Sequence, residues 1–301
     1  MVSSGLMESW CLGEKRKYTF LPTPYITAWV CLRASELIPL KNGPAIFRLH
    51  DHTDRLFRSA HILRLPIPFT KDEINNAQVQ VIAENNLKEA YLRPMCFYGS
   101  EGMGLRAEGL KAHCIIAAWE WPNYMSPEAR DEGIKVRTSS YTRHHVNITM
   151  CKAKANGNYI NSMLALREAL DSGCEEALLL DNEGYVAEGS GENVFLVQNG
   201  KLITPELTSC LEGITRATMF SFAQELGIEV KERRITRDEV YVADEAFFTG
   251  TAAEVLQICE LDGRVIGEGV RGPITEKLQS MYFDQVLAKR SEYPQWSTLV
   301  S

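Results

Sequence analysis

The chain has 301 residues, 45% hydrophobic and 24% charged, a globular profile long enough for one large or two medium domains. Its net charge of −7 is spread along the chain, which argues against a nucleic-acid binder and against an acidic tail. No apolar run is long enough to span a bilayer, and no basic segment precedes an apolar core at the N-terminus, so neither a membrane partner nor secretion is expected. Eight cysteines stand far apart with no C-x-x-C pair, which fits free thiols in a reducing cytoplasm better than a disulfide framework or a zinc site.

In chain order, the apolar spacing predicts a helix over residues 51–63, ahead of Pro66, and a second over 79–86. Residues 92–98 and 113–119 read as strands. Two prolines, Pro122 and Pro127, then mark an interdomain linker, taken as 119–131, between a domain of residues 1–118 and one of 132–301. Residues 134–139 read as a strand and 158–171 as a helix closed by Gly173. Strand-like stretches follow at 177–180, 185–188 and 193–197, and Asn199-Gly200 is a hairpin signal leading into 202–204. A helix is expected over 215–226, a short strand over 245–249, and a last helix from Pro273 to about Leu287. Strands and helices mix without strict alternation, so the fold class expected is α+β.

Four short motifs bear chemistry. Gly213-Ile214-Thr215-Arg216 opens a helix, where backbone N–H groups, a hydroxyl and the positive end of the dipole suit a phosphate. Thr249-Gly250-Thr251-Ala252 follows a strand with a second set of backbone and hydroxyl donors for phosphate or carboxylate. Glu188-Gly189-Ser190-Gly191 puts a carboxylate at a strand end beside glycines that let a ligand approach the backbone. Lys154, just before a helix and followed by Tyr159, is a candidate reactive amine, with Lys152 as its neighbouring competitor. Each motif alone also fits an ordinary turn, helix start or surface lysine. His50 and His52 could ligate a metal, but no spacing completes a set, so no metal is expected.

Taken together and in this order, the four motifs resemble the fold-type IV pyridoxal-phosphate enzymes, and most closely the bacterial branched-chain amino acid aminotransferases. The stretch from Ser139 to His145 and Gly267-Glu268-Gly269…Gly272-Pro273 look like that family too, so that the likeness runs from about Gly43 to Phe283. The resemblance implies a two-domain enzyme, a small α/β domain and a larger mixed-sheet, barrel-like domain with pyridoxal 5'-phosphate between them. It implies that Lys154 is the Schiff-base lysine, that Glu188 pairs with the pyridine nitrogen and that Tyr159 bonds the ring oxygen. Leu211 would pack on the ring, and Arg55, Gly213, Ile214, Thr215, Gly250 and Thr251 would hold the cofactor phosphate or line its turn. Tyr91, Arg93, Trp121 and the Thr251–Ala252 backbone resemble substrate-binding positions. The implied partners are small amino acids and 2-oxo acids, and a second copy of the chain in a homodimer or larger assembly. The implied reaction moves an amino group from a branched-chain L-amino acid to 2-oxoglutarate. Alternatives are a D-amino acid aminotransferase, an aminodeoxychorismate lyase-like enzyme, or a cofactor-binding protein that has lost activity.

The first forty residues depart from that pattern. Family members carry a tract like L-T-H-T-L-H-Y-G…V-F-E-G-I-R before the segment that reads Gly43-Pro44-Ala45-Ile46-Phe47-Arg48-Leu49 here. Back-translating this region and shifting the frame by one base restores the tract in order and without gaps. Residues from about 6 to 40 are therefore read as translated out of frame, and are expected to pack poorly or irregularly.

Overall fold

A computed structural model describes residues 26–27, 30–32, 44–102, 106–120 and 132–300. It divides into two compact units. The first comprises residues 1–121, 153–156 and 285–301, and the second residues 122–152 and 157–284, so neither is continuous in sequence.

In the first unit, β1 (Ile26–Thr27) and β2 (Val30–Leu32) pair antiparallel with β4 (Ala90–Tyr98), and β5 (Ala112–Trp119) pairs with β4 as well. Five residues of the suspect tract thus form strand pairs in one register, against the expectation of an irregular segment; the rest of 6–40 lies outside the described residues. Backbone pairing asks little of side-chain identity, so an altered sequence can still extend a sheet. A separate two-stranded ladder joins β3 (Ala45–Phe47) to β15 (Ser297–Leu299), which brings the C-terminal segment into this unit. Helix α1 (Leu49–Ile62) buries Leu49, Thr53, Leu56 and Ala60, spaced three to four apart along one face. Helix α2 (Lys71–Glu84) starts eight residues earlier than the apolar spacing suggested. Its first turn is set by a capping box: Thr70 Oγ1 accepts from the Glu73 N–H at 3.2 Å, and Glu73 accepts from the Thr70 N–H at 2.7 Å.

The second unit is a nine-stranded mixed sheet. Its strands are β6 (Ile134–Thr138), β7 (Glu176–Leu180), β8 (Val186–Gly189), β9 (Asn193–Gln198), β10 (Lys201–Thr204), β11 (Val230–Glu232), β12 (Glu245–Gly250), β13 (Glu254–Leu261) and β14 (Arg264–Val265). The hydrogen-bonded order runs β11-β10-β9-β12-β13-β6-β7-β8, with β14 on β13. Strand β8 therefore ends the path, yet a tight turn joins it to β9 in the path's other half, closed by Gly189 N–H to Glu192 O at 2.7 Å. The sheet curls on itself, and alternate residues fill its inside: Val194 and Leu196, Ala246 and Phe248, Leu256 and Ile258, Ile134 and Val136. On the opposite face Phe195 stacks on Phe247 at 5.2 Å and meets Phe220 of helix α4 (Ile214–Glu225) edge-on at 6.1 Å. Helix α3 (Tyr159–Asp171) buries Ala165 and Ala169 against Ala177 and Leu179 and ends at Gly173, whose φ is +78°. Helix α5 (Arg237–Tyr241) and helix α6 (Pro273–Val286), the latter up to Asp284, complete the unit.

Strand β13, absent from the sequence reading, sits mid-sheet between β12 and β6. It turns into β14 through Asp262-Gly263, both at positive φ (53° and 75°), the geometry of a two-residue hairpin turn. The Asp262 carboxylate accepts from Thr138 N–H, Thr138 Oγ1 and Tyr241 Oη, each at 2.7 Å. Burial pushes its pKa up, but these bonds, from Thr138 first, outweigh it and leave the pKa below the usual value. A lowered folded-state pKa adds stability above the unfolded carboxylate value, about 3.9, and loses it as pH falls through the folded value. Asp262→Asn is accordingly expected to lower the urea midpoint at pH 7, with the gap from the parent chain closing as the pH drops below about 4. A gap of constant size across that range would contradict the ionised role.

Candidate active site

In the second unit, strand β8 carries Glu188 to its C-terminal end, where the side chain is 6% exposed. Three donors meet its carboxylate. Arg143 Nη2 lies 2.7 Å from Oε1, while Leu211 N–H and Asn193 Nδ2 donate to Oε2 at 3.1 and 3.3 Å. The same Asn193 amide donates to Leu211 O at 2.9 Å, tying the loop ahead of α4 to β9. A buried carboxylate faced by a guanidinium and two N–H groups is matched to its ionised form. Arg143 lies in the 139–145 stretch that resembled the family, but its role needed the fold: residues 143 and 188 meet only after β7 and β8 pair.

Two other carboxyls lie beyond Glu188. Burial raises the pKa of Glu176, and burial together with the Glu176 charge holds Glu192 well above the usual carboxylate range. Glu192 lies under the Gly250 turn, its Cγ 3.3 Å from where a Cβ on Gly250 would stand. Burial and the Glu176 charge thus disfavour a charge on Glu192 beneath that turn's donors.

The Gly213-Ile214-Thr215 segment forms the N-terminus of α4, with Gly213 as the N-cap and Thr215 buried. A Cβ at Gly213 would stand 2.0 Å from Asn193 Oδ1, so only glycine lets the helix start this close to β9. Gly250 and Thr251 end β12 and enter the next turn, beside a buried Thr249 hydroxyl with no partner among the described residues. A helix N-terminus and a second hydroxyl-bearing turn are donor sets that suit a phosphate, and a buried ionised carboxylate suits a protonated ring nitrogen; the residues fit pyridoxal phosphate. Tyr159 is the first residue of α3 and is half-buried.

The two lysines differ in their partners. Lys152 Nζ donates to the backbone carbonyls of Leu207 and of Cys210, the latter at 3.1 Å, so its charge is spent on the loop before α4. Lys154 is 8% exposed and belongs to the first unit, where its N–H donates to Ser59 Oγ at 3.1 Å. Ser59 in turn donates to Arg55 O at 2.8 Å, so Lys154 docks on α1 one turn from Arg55, which is buried beside His52. Two residues far apart in sequence, both expected from the sequence to hold the cofactor, are thereby brought together. Tyr91 and Arg93 alternate onto one face of β4, and the Arg93 guanidinium lies 5.5 Å from the Tyr91 ring and 5.0 Å from that of Trp119. Trp121 lies outside the described residues. Leu211 and Ala252 are half-buried.

Cys151 Sγ lies 3.3 Å from His144 Nε2, the contact of a nucleophile and its base. Burial, then the Arg143 charge, pushes His144 down to about 4, while burial pushes the Cys151 thiol up. Both are neutral at pH 7, so the pair is not an activated thiolate.

The family model described as Amino-transferase class IV matches residues 34–261. The chain is 64% identical over 258 residues to the branched-chain-amino-acid aminotransferase of Pseudomonas aeruginosa, an alignment covering 86% of this chain and 84% of that one. Among solved structures it resembles the T.th. branched-chain amino acid aminotransferase with pyridoxamine 5'-phosphate, at TM-score 0.88 and 42% identity over 92% of this chain and 90% of that one. The same T.th. enzyme complexed with N-(5'-phosphopyridoxyl)-L-glutamate matches at TM-score 0.84 and 41% identity, covering 93% and 89%.

Arg143→Met would leave Glu188 buried beside two N–H donors without its cation. Losing one partner of a buried ion pair costs about 3–5 kcal/mol, and that loss is expected in urea denaturation of the variant. A loss under about 1 kcal/mol would mean the pair behaves as an exposed one.

Proposed function

The chain belongs to the Amino-transferase class IV family, and from that premise we propose how its own residues carry out the reaction. The reaction is pyridoxal-phosphate-dependent transamination: a branched-chain L-amino acid (leucine, isoleucine or valine) gives its amino group to 2-oxoglutarate, leaving a branched-chain 2-oxo acid and L-glutamate. The observation that carries the assignment of roles is the buried Glu188 carboxylate with its three donors already in place.

When bound, pyridoxal phosphate supplies an aldehyde that condenses with amines and a ring that takes up the electrons of a broken Cα–H bond. Glu188 would hold a proton on the ring nitrogen, and its own donors would keep the carboxylate from turning away. The Ile214 and Thr215 N–H groups, Thr215 Oγ1 and the Gly250–Thr251 turn would bind the phosphate, and Arg55 would add a cation to it. Leu211 would pack on the ring face, and Tyr159 would donate to the ring oxygen. Lys154 would supply the amine that substrate displaces; once freed, that amine would take the proton from Cα and return it to the cofactor carbon. Tyr91, Arg93 and Trp121 would line the substrate side, and the Thr251–Ala252 backbone would receive the substrate carboxylate.

We also propose that the chain works in the cytoplasm and self-associates. Cys96, Cys114, Cys151, Cys174, Cys210 and Cys259 are free thiols, as a reducing compartment allows. On α3, Ile160, Met163 and Leu164 share one face at helical spacing, with Ile160 65% and Met163 69% exposed, a surface that a second copy would cover and that sedimentation of the purified chain tests. For residues 6–40 the out-of-frame reading stands as a proposal, consistent with a family match that begins at residue 34. The gene's nucleotides decide it: codons unable to encode the family tract in another frame would end the idea.

With L-leucine and 2-oxoglutarate, glutamate should form, and D-alanine should not replace L-leucine. Lys154→Ala should lower the rate by at least on the order of 10² to 10⁴, the range for losing a general acid–base, and should leave the cofactor bound without its covalent link. Activity near the parent level in that variant, or a preference for D-alanine, would overturn the assignment.

A further inference from the structure

We propose that Lys152 is a positioning residue for Glu188, acting through the single peptide group that joins Cys210 to Leu211. Its Nζ donates to the oxygen of that peptide, Cys210 O, at 3.1 Å, and the N–H of the same peptide donates to Glu188 Oε2 at 3.1 Å. A cation on the carbonyl oxygen and an anion on the amide hydrogen polarise one amide in the same sense, so each bond strengthens the other, by roughly 10–30%. A second carbonyl of the loop, that of Leu207, accepts from the same ammonium group. Asn193 closes the arrangement from the other side, donating to both Leu211 O and Glu188 Oε2. The loop from 207 to 211 is therefore pinned at both ends of one peptide plane, and the chain enters the α4 N-terminus two residues later at Gly213.

The surroundings leave this charge relay uncontested. Arg143 pairs with Glu188 directly, at the opposite carboxylate oxygen. Cys210, whose carbonyl carries the relay, keeps its proton, its thiol pushed up to about 12 by burial and by the Glu188 charge. Burial also disfavours charge on Glu176 and Glu192, as described above. Lys152 is half-buried, so its interaction is screened less than that of a surface lysine.

The inference rests on the reading of Glu188 as the partner of the ring nitrogen, and the experiment separates the two. In the holoenzyme, the absorbance of the bound cofactor is titrated with pH for the parent chain, Lys152→Met, Lys152→Arg, Glu188→Gln and the double variant. Amide hydrogen exchange at Leu211 is measured on the same proteins. Without the Lys152 cation on its carbonyl, the 210–211 peptide donates more weakly to Glu188 Oε2 and the carboxylate presents more negative charge to the cofactor, so Lys152→Met should raise the midpoint by about half a pH unit, and Lys152→Arg should restore it. Leu211 should exchange faster in Lys152→Met. In the Glu188→Gln background the Lys152→Met change should add no further shift, because the effect runs through Glu188. An additive shift, or a parental midpoint in Lys152→Met with only a lower melting temperature, would overturn the inference. If Glu188→Gln itself leaves the midpoint unmoved, the ring-nitrogen reading fails, and the Leu211 exchange rate alone decides whether Lys152 holds that peptide in place. Should Lys152→Met fail to fold, Lys152→Gln, which keeps a donor and drops the charge, takes its place under the same outcomes.

Discussion

A carboxylate taken out of water must find its partners within the protein, and the second unit is arranged around meeting that demand at Glu188. The partners come from four places: Arg143 from the segment after β6, Asn193 from the start of β9, the Leu211 peptide from the loop before α4, and Lys152 behind that peptide. Asn193 reaches Glu188 across the tight turn between β8 and β9, but the other three come near it only once the sheet has formed. Folding of the sheet and assembly of the ionised site are thus one event. The glycine at 213 belongs to the same constraint, since any side chain there would collide with the amide of Asn193 and push the helix N-terminus away from Glu188.

The electrostatic pattern around that carboxylate is sorted by burial. Glu188 has donors on both oxygens, whereas burial raises the pKa of Glu176 and Glu192, a turn away. His144 and Cys151, next to the same Arg143, are both neutral for the same reason. A guanidinium and N–H donors favour the anion at Glu188, at the strand end where a protonated ring nitrogen would need it, while burial disfavours charge on the carboxyls beyond it. This is how a site built on a cofactor's electron sink differs from one built on a nucleophilic side chain.

The four motifs and most helices were legible in the chain because each is local: a glycine before a helix, a hydroxyl turn after a strand, a hairpin at Asn199-Gly200. What stayed hidden depended on partners distant in sequence. Lys152 and Lys154 look alike until two backbone carbonyls claim one of them and α1 receives the other. Arg143 carried a family likeness without a role, because its partner lies 45 residues away. Strand β13 was missed although Asp262-Gly263 is a hairpin signal as plain as Asn199-Gly200; its residues are buried on both faces, so the alternation that marks a strand is weak. The start of α2 was misplaced because its polar first turn carries no apolar period, yet Thr70 and Glu73 spell its capping box.

The direct test of the central claim, an ionised Glu188 holding a proton on the ring nitrogen, is the nitrogen-15 chemical shift of that atom in pyridoxal phosphate labelled at the ring and bound to the protein. The account requires the value of a protonated ring at neutral pH in the parent chain, and the unprotonated value once Glu188 is replaced by Gln. An unprotonated value in the parent chain would contradict it.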